Sequence, residues 1–215
     1  MPKPKIFSYE KKVPFRDAFL FIIVCEGTNR EPDYFRFFDG MSSRVKVVPV
    51  VSAIGSAPRL LIDVAAAKVQ ELEASDVTDR LWFVIDTDRW REQLHEIRQE
   101  CEQYPHWQVA QSNPCFEVWL YFHAKTALPE FENINQCSQW KTLLPQVIKG
   151  GFTSVTHPIA IESATVNSKS AYQETGYFPN PGSTQLWKLA EELLPLIKKE
   201  LDELKPRFPA PVVIS

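Results

Sequence analysis

The sequence predicts an α/β fold in which a mainly parallel sheet is covered by helices. Short apolar runs rich in β-branched and aromatic residues alternate with segments of helical period, and three such alternations occur before residue 110. The composition is that of a globular protein, because 44% of the 215 residues are hydrophobic and 24% are charged. A chain of this length can bury one substantial core.

The elements are predicted in chain order from these patterns. The continuous apolar run 18–25 is typical of a strand buried on both faces. Further strands are predicted at 45–51, 81–85 and 107–110, and helices at 31–39, 57–73, 90–104, 115–123, 136–148 and 185–204. A helix start is predicted at Ser112-Asn113-Pro114 and another at Ser183-Thr184, and the rest of 125–182 is predicted to be polar loop.

Charge and composition divide the chain into three predicted regions. A basic arm spans 1–17, the α/β core spans 18–124, and a helical and loop-rich elaboration of the same domain spans 125–215. The arm carries five basic and two acidic residues, whereas the whole chain has a net charge of −3. A mildly acidic body does not wrap long duplex DNA by counterion release, but it leaves room for a localised phosphate contact.

Membrane insertion and a disulfide framework are not expected. The longest apolar run has eight residues, whereas a bilayer span needs about 20, and no signal peptide is apparent. The four cysteines contain no CxxC pair. We therefore expect a cytoplasmic protein with no membrane partner, in which all the cysteines are reduced packing residues.

Three acidic residues follow two of the predicted buried strands. Glu26 comes directly after the first strand, and Asp86 and Asp88 come directly after the third. Ligands of open parallel sheets bind beyond the carboxyl ends of the strands, so these carboxylates are predicted to converge. Their hard oxygens suit Mg²⁺ or Mn²⁺. Each acid taken alone has a structural alternative, since Asp favours turns and Asp88 could cap the next helix.

Three segments together resemble a known family. They are VCEGTNREPDYF at 24–35, SNPCFEVWLYFH at 112–123 and PGST at 181–184. The acids after the first and third strands resemble the signature of the Toprim domain, a metal-binding α/β unit. The segments themselves resemble RloB-like proteins over most of the chain. One departure is Arg30, where the family usually has threonine.

The resemblance implies a Toprim-like core and a divalent-metal-dependent nuclease of prokaryotic restriction or anti-phage defence. It implies a nucleic-acid substrate, with RNA and specifically a tRNA loop expected, and a defence-system partner protein. Asp86 and Asp88 would hold Mg²⁺ (or Mn²⁺), and Glu26 would either bind the metal or act as general acid or base. Composition and spacing do not themselves indicate RNA.

Residues of the second segment are further candidates. Glu117 falls in the first turn of a predicted helix, where it could bind metal, orient water or simply complement the helix dipole. His123 is a candidate substrate contact or a core histidine. Asn113 is a candidate phosphate contact or a helix cap.

Three arginines lie near predicted loops at the carboxyl edge of the sheet. Arg30, Arg59 and Arg89 could pair with phosphate oxygens, although each alone could be a solvated surface charge. Two alternatives to a nuclease remain open. One is primase-like nucleotidyl transfer, and the other is a non-catalytic subunit that binds nucleic acid or a partner within a defence complex.

Overall fold

The structure is a computed structural model that describes residues 18–53, 55, 57–87, 93–130 and 134–214. The predicted basic arm lies outside the described residues, as do Asp88 and Arg89. The described strands are β1 (Phe19–Cys25), β2 (Val45–Val51), β3 (Arg80–Asp86), β4 (Trp107–Asn113), β5 (Glu174–Thr175), β6 (Phe178–Pro179) and β7 (Ser183–Thr184). The described helices are α1 (Arg30–Arg36), α2 (Pro58–Glu71), α3 (Leu94–Gln103), α4 (Glu117–Tyr121), α5 (Cys137–Val147), α6 (Ile161–Ser170) and α7 (Leu186–Leu204), with 3-10 turns at His157–Ala160 and Lys205–Arg207.

A five-stranded sheet in the order β2-β1-β3-β4-β7 forms the centre of the molecule. The first four strands are parallel, and β7 pairs antiparallel with the end of β4. The predicted α/β class with a mainly parallel sheet flanked by helices is therefore confirmed, and the architecture is consistent with a Toprim-like fold.

The sheet is buried on both faces, as the continuous apolar runs predicted. Odd-numbered residues of β1 from Phe21 to Cys25 pack on the side of α1 and of α4 to α7. Even-numbered residues from Leu20 to Val24 pack on the side of α2 and α3. Successive side chains of a strand point to opposite faces, so β1 contributes to both cores at once.

A buried hydrogen bond joins α1 to the residues that follow α4. The hydroxyl of Tyr34 lies 3.0 Å from Nε2 of His123, whose Nδ1 lies 3.1 Å from the carbonyl oxygen of Trp119. That carbonyl can only accept, so Nδ1 carries the proton and Nε2 accepts from Tyr34. Burial lowers the pKa of His123 to about 3. His123 is therefore a neutral core residue, and the structure does not place it where a substrate could reach it.

Several elements of the second half differ from the prediction. Helix α6 and strand β7 lie in or beside the segment predicted to be loop. Helix α6 reads IESATVNSKS, in which Ser, Thr and Asn give little helical signal. Strand β7 has two residues, too few to show a period.

The two predicted helix starts are also corrected by the structure. Asn113 ends β4 rather than capping a helix, and its Nδ2 donates to the carbonyl of Pro179 at 2.8 Å. The cap position of α4 is Phe116, three residues later. Ser183 and Thr184 form β7, and the cap position of α7 is Gln185. The pairs Ser112-Asn113 and Ser183-Thr184 therefore belong to the sheet, where they pair with each other.

The prediction that all four cysteines are reduced is wrong for Cys115 and Cys137, which form a disulfide. Cys25 and Cys101 are free. The bond joins the segment entering α4 to the first residue of α5, and its two cysteines are 22 positions apart in sequence. Sequence spacing without a CxxC pair gave no indication of this contact.

Protonation of His123 is expected to make the stability of the fold depend on pH. The pKa of His123 is about 3 in the folded protein and ordinarily 6.5, so the unfolded chain binds the extra proton between these values. Stability should then fall as the pH falls below 6.5, by about 1.4 kcal/mol per pH unit for this group. Urea unfolding from pH 7 to 4 should show a smaller loss in His123→Gln than in the wild type. The exposed His95, changed to Gln, is the matched control, and equal pH slopes in the wild type and His123→Gln would contradict the prediction.

Reduction of the disulfide is expected to destabilise the fold. A crosslink between cysteines 22 positions apart lowers the conformational entropy of the unfolded chain. This raises the free energy of unfolding by about 3 kcal/mol. Denaturant unfolding with and without a phosphine reductant should differ by about this amount, and the difference should vanish in Cys115→Ala/Cys137→Ala. Cys101→Ala is the control that should retain it. Four reactive thiols in the unfolded, unreduced protein would show that the bond does not form.

Candidate active site at the carboxyl edge of the sheet

The parallel pairing of β1 with β3 brings Glu26 and Asp86 together. Cys25 pairs with Val84, and the amide of Glu26 continues the ladder by donating to the carbonyl of Val84 at 3.0 Å. The carboxylate of Glu26 then accepts from the amide of Asp86 at 2.8 Å. Two acids 60 residues apart in sequence therefore lie at one point of the sheet edge. Asp88, the third predicted acid, lies outside the described residues.

This point is the place where the strand order reverses. The chain passes from β1 outward to β2 and then returns to the other side of β1 to form β3. In doubly wound sheets the connections leave a crevice between two such strands, beyond their carboxyl ends. Glu26 and Asp86 therefore border the position at which this architecture binds ligands.

A cleft of about 440 Å³ opens at this position. Its charged lining consists of four carboxylates and two cations: Glu26, Glu31, Asp86, Glu117, Arg30 and Lys141. The loop after β1, α1, α4 and α5 each contribute to it. Like charges so close together favour a cation in their midst, or a proton on one of them.

Glu117 is held in the wall of the cleft by Arg30. Its side chain is 5% exposed, and Nη1 of Arg30 lies 3.3 Å from its Oε1. Its Oε2 lies 3.6 Å from Sγ of Cys137, which carries no hydrogen because it is in the disulfide. Arg30, the departure from the family pattern, thus forms an ion pair with Glu117 while remaining half exposed to the cleft.

Glu31 is a cleft residue that sequence reasoning did not single out. Its carboxylate lies over Gly27, where an added Cβ would come within 2.1 Å of Oε2, so a side chain at position 27 would displace it. Burial raises the pKa of Glu31, and the nearby charge of Glu117 raises it further, whereas Arg30 and Lys141 lower it. Glu31 follows Gly27 by four positions in the segment after β1, and this was the available sequence signal.

Lys141 is the second residue that sequence reasoning missed. It lies on α5, one turn beyond the disulfide-bonded Cys137, and reaches the cleft from the C-terminal half of the chain. A lone lysine on an amphipathic helix carries no sequence signal that separates it from a solvated surface charge.

Comparison with known proteins identifies the family. A family model described as RloB-like protein matches residues 21–193, which include every element that lines the cleft. The chain belongs to the RloB-like protein family. No curated protein and no solved structure matches the chain. None of the helices that the structure describes combines the length and apolarity needed to cross a membrane.

Two predicted site residues of the RloB-like chain lie away from this cleft. Arg59 is exposed on α2 and lies 3.5 Å from Asp63, one turn along the same helix. Asn113 lies at the same edge of the sheet but in a neighbouring cavity of about 540 Å³, which it shares with Thr87. With His123 in the core, Glu26, Arg30, Asp86 and Glu117 are the predicted residues that the described structure brings together.

A buried polar network fixes Thr87, the residue that follows Asp86. Its hydroxyl donates to the carbonyl of Ser112 at 2.7 Å and accepts from Nε2 of Gln111 at 2.8 Å. Oε1 of Gln111 in turn accepts from Arg98 at 2.7 Å. Thr87 and Gln111 are buried, so this network immobilises the backbone on which Asp86 is carried.

Replacing Glu31 by Gln is expected to change how stability depends on pH. Because the folded pKa is raised above the ordinary 4.5, the folded chain binds more protons than the unfolded chain above pH 4.5, and stability falls as the pH rises through the folded pKa. Urea unfolding in EDTA should therefore show that Glu31→Gln gains more stability over the wild type at pH 8 than at pH 4. Glu203→Gln, an exposed acid of α7, is the control for loss of one charge. A larger gain at pH 4 would reverse the expected sign.

Proposed function

We propose that this RloB-like chain is a divalent-metal-dependent phosphodiesterase that cleaves nucleic acid. The observation that carries the proposal is the contact between the Glu26 carboxylate and the Asp86 amide, 2.8 Å, at the switch point of the sheet. It places two strand-end carboxylates beside a polar cleft large enough for a phosphodiester group.

The donor set of the cleft fits a hard divalent cation. Carboxylate oxygens are the preferred ligands of Mg²⁺ and Mn²⁺, and the clustered negative charge of the four acids favours a cation. Glu26 and Asp86 would hold the ion, joined by Asp88 two residues further along. When bound, the ion would polarise the scissile phosphate and stabilise charge on the departing oxygen.

The remaining cleft residues have separable roles in this proposal. Arg30, half exposed and oriented by Glu117, and Lys141 supply cations for the non-bridging phosphate oxygens. Glu31 holds a proton more readily than an ordinary carboxyl because burial raises its pKa. We therefore assign proton donation to the leaving oxygen to Glu31 and metal binding to Glu26.

The substrate and setting follow from the family resemblance rather than from the cleft. The expected substrate is RNA, with a tRNA loop as the target. The expected setting is anti-phage defence, together with a partner protein. A cytoplasmic location belongs to the same proposal. In that compartment a disulfide such as Cys115–Cys137 would form only transiently or under oxidation.

The test is cleavage of labelled tRNA, single-stranded DNA and duplex DNA by the purified protein with Mg²⁺, Mn²⁺ or EDTA. Cleavage should require the metal, and Asp86→Asn should lower the rate about 100-fold or more, since a metal contributes several kcal/mol to such a reaction. Asp63→Asn, an exposed acid on α2, is the matched control. Titration with Mn²⁺ followed by electron paramagnetic resonance should show weaker binding in Asp86→Asn than in Asp63→Asn.

The outcomes separate the proposal from its alternatives. Tight nucleic-acid binding without cleavage in any metal would favour the non-catalytic subunit. Template-directed extension of a labelled strand would favour nucleotidyl transfer. Cleavage by the double variant Asp86→Asn/Glu26→Gln would show that the site assignment is wrong.

A further inference from the structure

A third cavity, of about 570 Å³, lies on the α3 side of the sheet. It lies between α3, the edge of β4, the turn after β5 and the start of α7, and the cleft residues are not part of its lining. Among the described residues, Arg98, Lys188 and His95 line it together with Tyr177, and Glu102 is the one carboxylate in that lining. The cavity therefore combines an excess of cationic groups with an aromatic ring.

Arg98 is a partly desolvated cation that forms no salt bridge with any described carboxylate, and the charge of Glu174 acts on it from beyond ion-pair distance. Nη2 of Arg98 donates to Oε1 of Gln111 at 2.7 Å and to Oε1 of Gln185 at 3.2 Å, both of them neutral amide oxygens. Its Nε is buried and makes no hydrogen bond with any described residue. Guanidinium groups removed from water are normally paired with an acid, so this arrangement leaves positive charge for an anion to neutralise.

Lys188 adds a second cation with no carboxylate within ion-pair distance among the described residues. Its Nζ lies 5.7 Å from the ring centroid of Tyr172 and 5.4 Å from that of Trp187. These aromatic faces position the ammonium group without neutralising it. Two cations from different elements, α3 and α7, thus face one cavity.

Tyr177 supplies a surface on which a planar ring could stack. The guanidinium carbon of Arg98 lies 5.0 Å from the Tyr177 ring centroid and the ring of Phe178 lies 4.5 Å from it, and Tyr177 nonetheless remains 42% exposed. An aromatic ring beside a guanidinium is the combination that binds nucleobases irrespective of their identity. Two cations next to an aromatic ring could bind a phosphate and the base attached to it.

We propose that this cavity binds the phosphate of a nucleotide, with Arg98 and Lys188 contacting the phosphate and Tyr177 stacking on the base. The ligand chemistry is a nucleoside 5′-phosphate, either free or at the end of a strand. The proposal does not depend on the nuclease assignment, because the site is separate from the cleft and is tested by binding alone.

The test is calorimetric titration of the full-length protein in EDTA with adenosine 5′-monophosphate, adenosine and inorganic phosphate. The monophosphate should bind about tenfold more tightly than either fragment, because only it uses both the cations and the ring. Lys188→Met should weaken binding about tenfold while leaving the hydrogen bonds of Arg98 intact. Arg98→Met and Tyr177→Ala should also weaken it, and Arg36→Met, which removes an exposed guanidinium of α1, should not.

A 5′-phosphorylated and a 5′-hydroxyl oligonucleotide of the same sequence identify the source of the phosphate. Preference for the phosphorylated strand over the free nucleotide assigns the site to a strand end, and the reverse preference assigns it to a free nucleotide. The proposal is overturned if the monophosphate does not bind at about 10 mM. It is equally overturned if Lys188→Met and Arg98→Met both bind it as the wild type does.

Discussion

The parallel register of β1 and β3 is the constraint on which the candidate site depends. The amide of Glu26 extends the ladder to Val84, and its carboxylate accepts from the amide of Asp86. A shift of one residue would send each side chain of β1 to the opposite face of the sheet. Because both faces of β1 are filled by separate cores, that shift is resisted along the whole strand. The hydrophobic packing of the sheet thus sets the position of the acids at its edge.

The four carboxylates of the cleft have different electrostatic surroundings. Arg30 neutralises Glu117 through a direct ion pair, and Glu31 is driven toward its protonated form by burial over Gly27. The two remaining acids, Glu26 and Asp86, are the ones nearest the strand ends, and the Glu26 carboxylate accepts a hydrogen bond from the Asp86 amide. The four carboxylates that line this cleft of about 440 Å³ therefore differ in their surroundings.

The features that depend on hydrophobic periodicity could be predicted from the sequence. Buried parallel strands are continuous apolar runs, and an acid directly after such a run must lie at the carboxyl edge of the sheet, so the meeting of residues 26 and 86 could be predicted. Lys141 and the Cys115–Cys137 bond could not, because both depend on where α5 docks. Asn113 and His123 were ambiguous by their chemistry: an amide can cap a helix or brace a loop, and an imidazole can bind a substrate or, as here, satisfy Tyr34 and Trp119 in the core.

The C-terminal half contributes residues to the candidate site. Helix α5 supplies Lys141 and is covalently joined, through Cys137, to the segment that leads to Glu117. Strand β7 pairs with the end of β4, where Ser112 and Gln111 hold Thr87 beside Asp86. The second half thus adds Lys141 and the pairing of β7 to a strand-end geometry that β1, β3 and β4 set. A fragment ending near residue 124 would retain the strand-end acids in its sequence but lose the lysine, the disulfide and the fifth strand.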